Sequence, residues 1–217
     1  AYTDGTTDTV VSDNTWRQVS SPVGFDCIRE GEVIGKARAD APDLDKTAVM
    51  AEVVPAPGSK LVSEAQPGAE ITQEFAPAKI REVKPGMWIV DFGQNMAGWV
   101  RMNIKGQKAG DIIRFNYGEK LNNDGSLSLS GTDAHFRYPA SFFVLPGGWF
   151  QTDRFVCKGI ASETYEPRFT YNGFQYVQIT GLATAPTVDS IKACVVHTAF
   201  TKAGSFTCSN ELLNKIQ

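Results

Sequence analysis

Two histidines, four scattered cysteines, no block of basic residues and no long apolar run are the first things to notice in this 217-residue chain. With only His135 and His197, at no ligand spacing, a zinc centre is not expected. Cys27, Cys157, Cys194 and Cys208 form no CxxC pair and sit mostly among apolar or small residues, so they read as free structural thiols, with a disulfide the alternative. Lys and Arg total 21 against 24 Asp and Glu, a net charge of -3, and no basic stripe is present for phosphate backbones, which excludes nucleic acid as a partner. No segment is long and apolar enough to span a bilayer, and the opening Ala1-Tyr2-Thr3-Asp4-Gly5 has no signal-peptide pattern. No membrane role is expected, and the compartment stays unknown: cytosolic, or reached by a leader already removed. A P-loop, a GxGxxG after a strand, a GxSxG elbow and an HExxH helix are all missing, which removes several common enzyme classes.

What is present points to strands. Hydrophobic residues make up 42% and charged residues 21%, ordinary for a soluble globular chain able to bury a core without staples. In Trp99 to Lys105, apolar Val100, Met102 and Ile104 alternate with Arg101, Asn103 and Lys105, the period of a strand with one wet face. Further strand-like runs are Met87 to Phe92, Ile112 to Tyr117, Ser141 to Leu145, Arg154 to Lys158, Phe174 to Thr180 and Ser190 to Thr198. They are punctuated by Lys105-Gly106, Asn122 to Gly125, Pro146-Gly147-Gly148 and Thr180-Gly181. Without helical periods there are no crossover helices for a parallel sheet. The expected fold is all-β: an antiparallel β-sandwich of the jelly-roll kind with flanking partial segments.

The two ends differ in texture. Residues 1–50, with Ser21-Pro22-Val23-Gly24-Phe25 and the loop Asp40 to Asp45, read as the tail of an upstream β-domain or a covering arm; 51–204 form the sandwich. In 205–217, Cys208-Ser209-Asn210 caps a helix with Leu212, Leu213 and Ile216 on one face. So short a helix is marginal alone, and its apolar face suggests a partner from downstream sequence.

Two segments concentrate chemistry. Asp91-Phe92-Gly93-Gln94-Asn95-Met96-Ala97-Gly98-Trp99 puts carboxylate, amides and an indole around an expected turn between strands, so Asp91, Gln94, Asn95 and Trp99 are candidates for sugar or interdomain contact. The plainer reading, preferred here, gives Asp91 and Asn95 to turn amides, the glycines to positive φ and Trp99 to the core. Glu166-Pro167-Arg168-Phe169-Thr170-Tyr171-Asn172 adds Tyr171 and Asn172 to the candidates, again with packing as the preferred reading. Asp91, Glu119, Asp153 and Glu166 are the carboxylates nearest to a glycosidase pair, but nothing in the sequence brings two of them together at the required separation, and no catalytic residue is expected in this chain.

These segments also resemble a known family. Trp88 to Arg101, reading WIVDFGQNMAGWVR, is similar to a signature of bacterial α-L-rhamnosidases of glycoside hydrolase family 78. Tyr165 to Val177 resembles that family's YEPRFTYHGFRYVEV run, and Gly118-Glu119-Lys120-Leu121 with Asp124-Gly125 follows its GE.L..DG pattern. Val195 to Thr198 and Gly204 to Asn214 continue the match, so the resemblance covers about residue 50 to the C-terminus in order. It implies a concanavalin-like sandwich in a multidomain enzyme whose catalytic (α/α)6 barrel removes terminal α-L-rhamnose with inversion, using acidic residues in part from a DCPQRDER-like segment absent here. The implied partners are that barrel and rhamnose-containing saccharides, with no cofactor; calcium has no support in the pattern. The departures are Asn172 where histidine is usual, and Arg29 and Ile34 where the upstream domain carries tyrosines.

Overall fold

A computed structural model describes residues 2–19, 21–35, 48–56, 58–60, 62–130 and 149–216. The strand expected at Ser141 to Leu145, the turn Pro146 to Gly148, the loop Asp40 to Asp45 and His135 lie outside the described residues. In chain order the strands are β1 (Arg17–Gln18), β2 (Val23–Cys27), β3 (Gly31–Ile34), β4 (Val49–Met50), β5 (Ala69–Phe75), β6 (Lys79–Lys84) and β7 (Met87–Lys105). They continue as β8 (Ile112–Gly118), β9 (Lys120–Leu121), β10 (Leu127–Ser128), β11 (Thr152–Val156), β12 (Ser162–Tyr165), β13 (Asn172–Thr180) and β14 (Ile191–Thr198). A 3-10 turn at Val188–Ser190 and helix α1 (Glu211–Ile216) complete the described elements.

The chain is all-β, as the period-two pattern indicates. Among the described residues ten strands share one curled sheet, in the order β2-β3-β11-β8-β13-β7-β14-β5, with β12 and β6 also on β7. One pair departs from the antiparallel expectation: β11 runs parallel to β3, Arg154 opposite Val33 and Phe155 opposite Ile34. The physical reason is sequence distance, because a strand returning after more than a hundred residues is free of the hairpin constraint that forces neighbours antiparallel. The β2–β3 hairpin is thus joined by backbone hydrogen bonds to the sheet that holds the core.

The architecture turns on β7. Sequence reading places a turn at Asp91 to Trp99 between two strands; the structure instead has one strand of 19 residues. Its first half lies between β6 and β13 and its second between β14 and β12. The exchange of neighbours occurs at Gly98, register partner of both Asn172 and Val195, with φ +148. A β-carbon there would overlap the Cys194 carbonyl oxygen, so only glycine lets the strands approach. The turn chemistry survives as a bulge: between Phe174↔Met96 and Tyr176↔Asp91, four residues of β7 oppose one of β13, and Gly93, Gln94 and Asn95 project to solvent.

Because β7 serves both groups of strands, the sheet folds over itself into a sandwich. Tyr165 of β12 stacks on Phe115 of β8, with ring centroids 4.1 Å apart, across the core rather than along the sheet. Phe174 meets Phe92 and Tyr117 edge-on at 5.9 and 5.1 Å. Such aromatic pairs add about 0.5–1.5 kcal/mol each beyond their burial. Val100, Met102 and Ile104, the apolar set read from the alternation, are all in this core. The four cysteines are free thiols, with Cys157 and Cys194 buried. Helix α1 is capped by Asn210, whose Oδ1 accepts from the Leu212 and Leu213 amides, and its apolar side chains are exposed. No helix among the described residues is long and apolar enough to cross a membrane.

Candidate functional site

The six candidate residues fall into two groups along β7. Asp91 stands at the base of the bulge, where its Oδ1 accepts from the Gly93 amide (2.7 Å) and from Gln175 Nε2 (3.0 Å). Its backbone carbonyl accepts from the Ala78 amide, and Gln175 also donates to the Tyr176 hydroxyl. Asp91 therefore holds the loop that presents Gln94 and Asn95, with Gly93 at φ +74 supplying the left-handed step.

The second group gathers at Gly98. Trp99 is half-buried, and its indole N–H donates to Glu166 Oε1 at 3.0 Å. Arg101, two residues on and therefore on the same face, donates through Nε to Glu166 Oε2 (2.7 Å) and through Nη2 to Oε1 (2.9 Å). Its Nη1 reaches Glu74 Oε1 of β5 (2.6 Å), and Lys192 Nζ of β14 reaches Glu74 Oε2 (3.1 Å). This two-carboxylate, two-cation chain crosses β12, β7, β14 and β5. The Arg101 fork, with the indole N–H, holds Glu166 below the usual carboxylate range, and both glutamates raise the Arg101 guanidinium.

Between Glu166 and β13 the loop carries Phe169, 58% exposed, and Tyr171, 43% exposed. Tyr171 Oη donates to the Val196 carbonyl at 3.1 Å, which pins the ring against β14. Next to it, His197 donates from Nδ1 to the Thr198 carbonyl (2.9 Å) and meets Thr72 Oγ1 at Nε2 (2.8 Å), a histidine engaged within its sheet. Asn172 differs from the other candidates: it is 1% exposed, faces inward, and neither its Oδ1 nor its Nδ2 has a hydrogen-bond partner among the described residues. It belongs to the interior of the sandwich and not to an exposed contact surface.

Sequence reasoning missed the feature that sets this loop in place. Asp153 on β11 has no exposed surface; its Oδ1 accepts from the Glu32 amide (2.8 Å) and Thr170 Oγ1 (3.0 Å), and its Oδ2 from the Tyr165 hydroxyl (2.7 Å). Tyr117 Oη lies 3.4 Å from Tyr165 Oη. Glu32, also without exposed surface, accepts from the Arg168 and Phe169 amides, with Oε2 at 3.2 and 3.0 Å. Two buried acids thus bind β3, β11, β12 and the 166–171 loop into one unit. Burial raises both carboxyls, the three donors and Tyr117 opposing the rise at Asp153, the two loop amides opposing it at Glu32. No local pattern announces Glu32; only its buried position on a strand next to Gly31 separates it from an ordinary surface glutamate.

Of the four carboxylates considered for glycoside chemistry, Glu119 is exposed between β8 and β9, and the other three are engaged internally. Asp153 is sealed, Glu166 is engaged by Arg101 and Trp99, and Asp91 is engaged by its own bulge. Among the described residues no group of His, Cys, Asp and Glu is disposed to hold a metal ion.

With this geometry in hand, similarity to known proteins becomes specific. The chain is 35% identical to an α-L-rhamnosidase of Formosa agariphila and 33% identical to one of Streptomyces avermitilis, in each case over 99% of its own length. It spans about a fifth of those relatives, 22% and 20% respectively. Among solved structures, α-L-rhamnosidase from Dictyoglumus thermophilum superposes with a TM-score of 0.79 at 36% identity, over 99% of this chain and 23% of that one. The Streptomyces avermitilis enzyme complexed with L-rhamnose gives 0.76 at 31%, over 99% and 20%. The family model for the bacterial alpha-L-rhamnosidase concanavalin-like domain matches residues 81–197, from β6 through β14 and including both chemistry-bearing segments. On that match, over more than half of its length and over the strands that build the core, the chain belongs to the family of bacterial α-L-rhamnosidase concanavalin-like domains.

Proposed function

We propose that this chain is the accessory β-sandwich of a longer α-L-rhamnosidase: it holds and orients, while hydrolysis of terminal α-L-rhamnosides occurs in an adjoining helical barrel, by the inverting route its family resemblance implies. The observation that carries this reading is the internal use of Asp91, Asp153 and Glu166, three of the four carboxylates that could form a glycosidase pair, in a chain whose relatives are about five times its length. The ordered loop with exposed Phe169 and Tyr171 is the face we assign to contact with that barrel. Within the chain we assign 1–50, with the β2–β3 hairpin, to the tail of an upstream β-domain or a covering arm, 51–204 to the sandwich and 205–217 to the start of the first helix of the barrel.

The test compares the 217-residue chain with the full-length enzyme on an aryl α-L-rhamnoside. Full-length enzyme turns over and the chain alone does not; turnover by the chain alone would overturn the proposal. A second reading, rhamnoside binding by the chain itself, draws on the solvent-facing amides of Gln94 and Asn95 beside the bulge. Calorimetry with L-rhamnose decides it: the accessory reading expects no saturable heat, whereas saturable heat weakened by Trp99→Ala or Asn95→Ala would establish the binding reading.

A further inference from the structure

The outer face of the sheet, opposite the core, contains a cavity of about 400 Å³ where β2, β3, β11 and β8 lie side by side. That volume is of ligand size, within the range of about 300–1,000 Å³ usual for small-molecule sites. Its walls are Phe25, Val33, Ile112, Trp149, Arg154 and Val156. Phe25 meets Trp149 edge-on, with centroids 5.3 Å apart, and the Arg154 guanidinium carbon lies 3.8 Å over the Trp149 ring. The stacking holds the guanidinium in place but neutralises nothing.

The electrostatics of this cavity are incomplete. Arg154 pairs in register with Arg114 of β8, and both point away from the core; Arg154 is in the cavity wall, while Arg114 is exposed beside the cavity, two residues from the wall residue Ile112, so a second positive side chain stands opposite the first. Neither forms an ion pair with a described residue, and burial together with Arg114 pulls the Arg154 guanidinium below its usual range with no carboxylate opposing. Arg154 Nε and Trp149 Nε1 are both buried donors without a hydrogen-bond partner among the described residues. Arg101, on the other layer of the same protein, shows the contrast: it is answered by two carboxylates. Two unmatched donors, two facing cations and apolar walls call for one thing, an anion carried on an apolar or ring-shaped body.

We propose that this cavity binds a carboxylate borne by a compact ring, a sugar acid or an aromatic acid, with Arg154 and Arg114 taking the carboxylate and Phe25, Val33 and Ile112 packing the ring. The site is separate from the bulge and from the 166–171 loop, and it does not depend on where rhamnoside hydrolysis occurs.

The test is titration of the full 217-residue chain with glucuronate, benzoate, glucose and inorganic phosphate, followed by calorimetry and by Trp149 fluorescence. Saturable binding of glucuronate or of benzoate is expected, and which of them binds names the source of the carboxylate. Arg114→Gln, at an exposed position on β8, should weaken binding roughly tenfold, as loss of one charge-assisted contact does. Arg154→Met keeps the packing over Trp149 and should abolish saturation. No binding of either acid, equal binding of glucose or phosphate, or indifference to Arg114→Gln would each overturn the proposal. Rhamnosidase activity of the full-length enzyme is not read in any arm, so failure here leaves the accessory role standing.

Discussion

Replacing Asp153 by asparagine should leave the fold intact and remove part of its pH dependence. Oδ1 of the new side chain still accepts from the Glu32 amide and Thr170 Oγ1. Nδ2, in place of Oδ2, donates to Tyr165 Oη, which then turns its own proton toward Tyr117 Oη, 3.4 Å away. The three contacts keep their positions and the ionisable group is lost; the second Nδ2 hydrogen has no acceptor among them, a constant cost that shifts the whole curve without adding a slope. In the wild type, burial raises the Asp153 carboxyl above its ordinary value of 3.8. A raised acid contributes stability that is fully present below the ordinary value and is lost as pH rises through the folded value. Over that window the slope approaches about 1.4 kcal/mol per pH unit for the one proton concerned. The asparagine variant has no such slope, and with the Asp153 charge gone the neighbouring Glu32 carboxyl falls as well, flattening the curve further. Urea unfolding of both proteins at a series of pH values measures the difference directly, with contributions from distant groups such as Glu166 cancelling. The variant should gain on the wild type as pH rises from the acid limb and then run parallel. Parallel curves throughout, or a wild type that gains on the variant, would refute the assignment of a buried, raised acid. Asp153→Ala strands all three donors and should cost about 3–5 kcal/mol at any pH where the wild type folds.

Two further outcomes follow from the backbone and the thiols. Gly98→Ala introduces a β-carbon into the Cys194 carbonyl at φ +148 and should destabilise by more than about 3 kcal/mol, read as a lower urea midpoint or as insoluble expression; Gly86→Ala, with open space around it, should cost far less despite its own positive φ. Burial pushes the Cys157 and Cys194 thiols up to about 11, so under native conditions an alkylating reagent at neutral pH should label partly exposed Cys27 and Cys208 and spare the other two until the chain is unfolded.

The fold was legible where one face of a strand is wet. Val100, Met102 and Ile104 alternate with polar residues and fill the core, and β8, β13 and β14 lie within two residues of their apolar runs at either end. β5 and β6 have weak strand signals because Ala69–Phe75 is a mostly exposed edge strand and Lys79–Lys84 a half-exposed one, and both sequences carry charge in place of alternation. β7 was split in two because Gly93, Gln94 and Asn95 are turn residues, and a bulge uses the same chemistry as a turn. At the site, the proximity of Trp99 and Arg101 is a period-two fact, but their meeting with Glu166 and Glu74 depends on β12 and β5 flanking the same stretch of sheet, a long-range pairing with no local signal. Asn172 shows the converse: a polar residue beside Tyr171 in an aromatic turn is a candidate for contact, with packing the preferred reading of the segment, and strand parity turns it inward.

The shared strand has a consequence for how the protein is made. β7 spans residues 87–105, but its partners β12, β13 and β14 are complete only at residues 165, 180 and 198. During synthesis, therefore, most of the chain must leave the ribosome before either half of β7 has both of its neighbours. Such distant closures slow folding and prolong exposure of strand edges. The nascent chain should consequently depend on chaperone shielding until β14 emerges, and stalling translation with Ile191–Thr198 still inside the exit tunnel should yield aggregates where stalling far enough downstream for β14 to emerge yields folded protein.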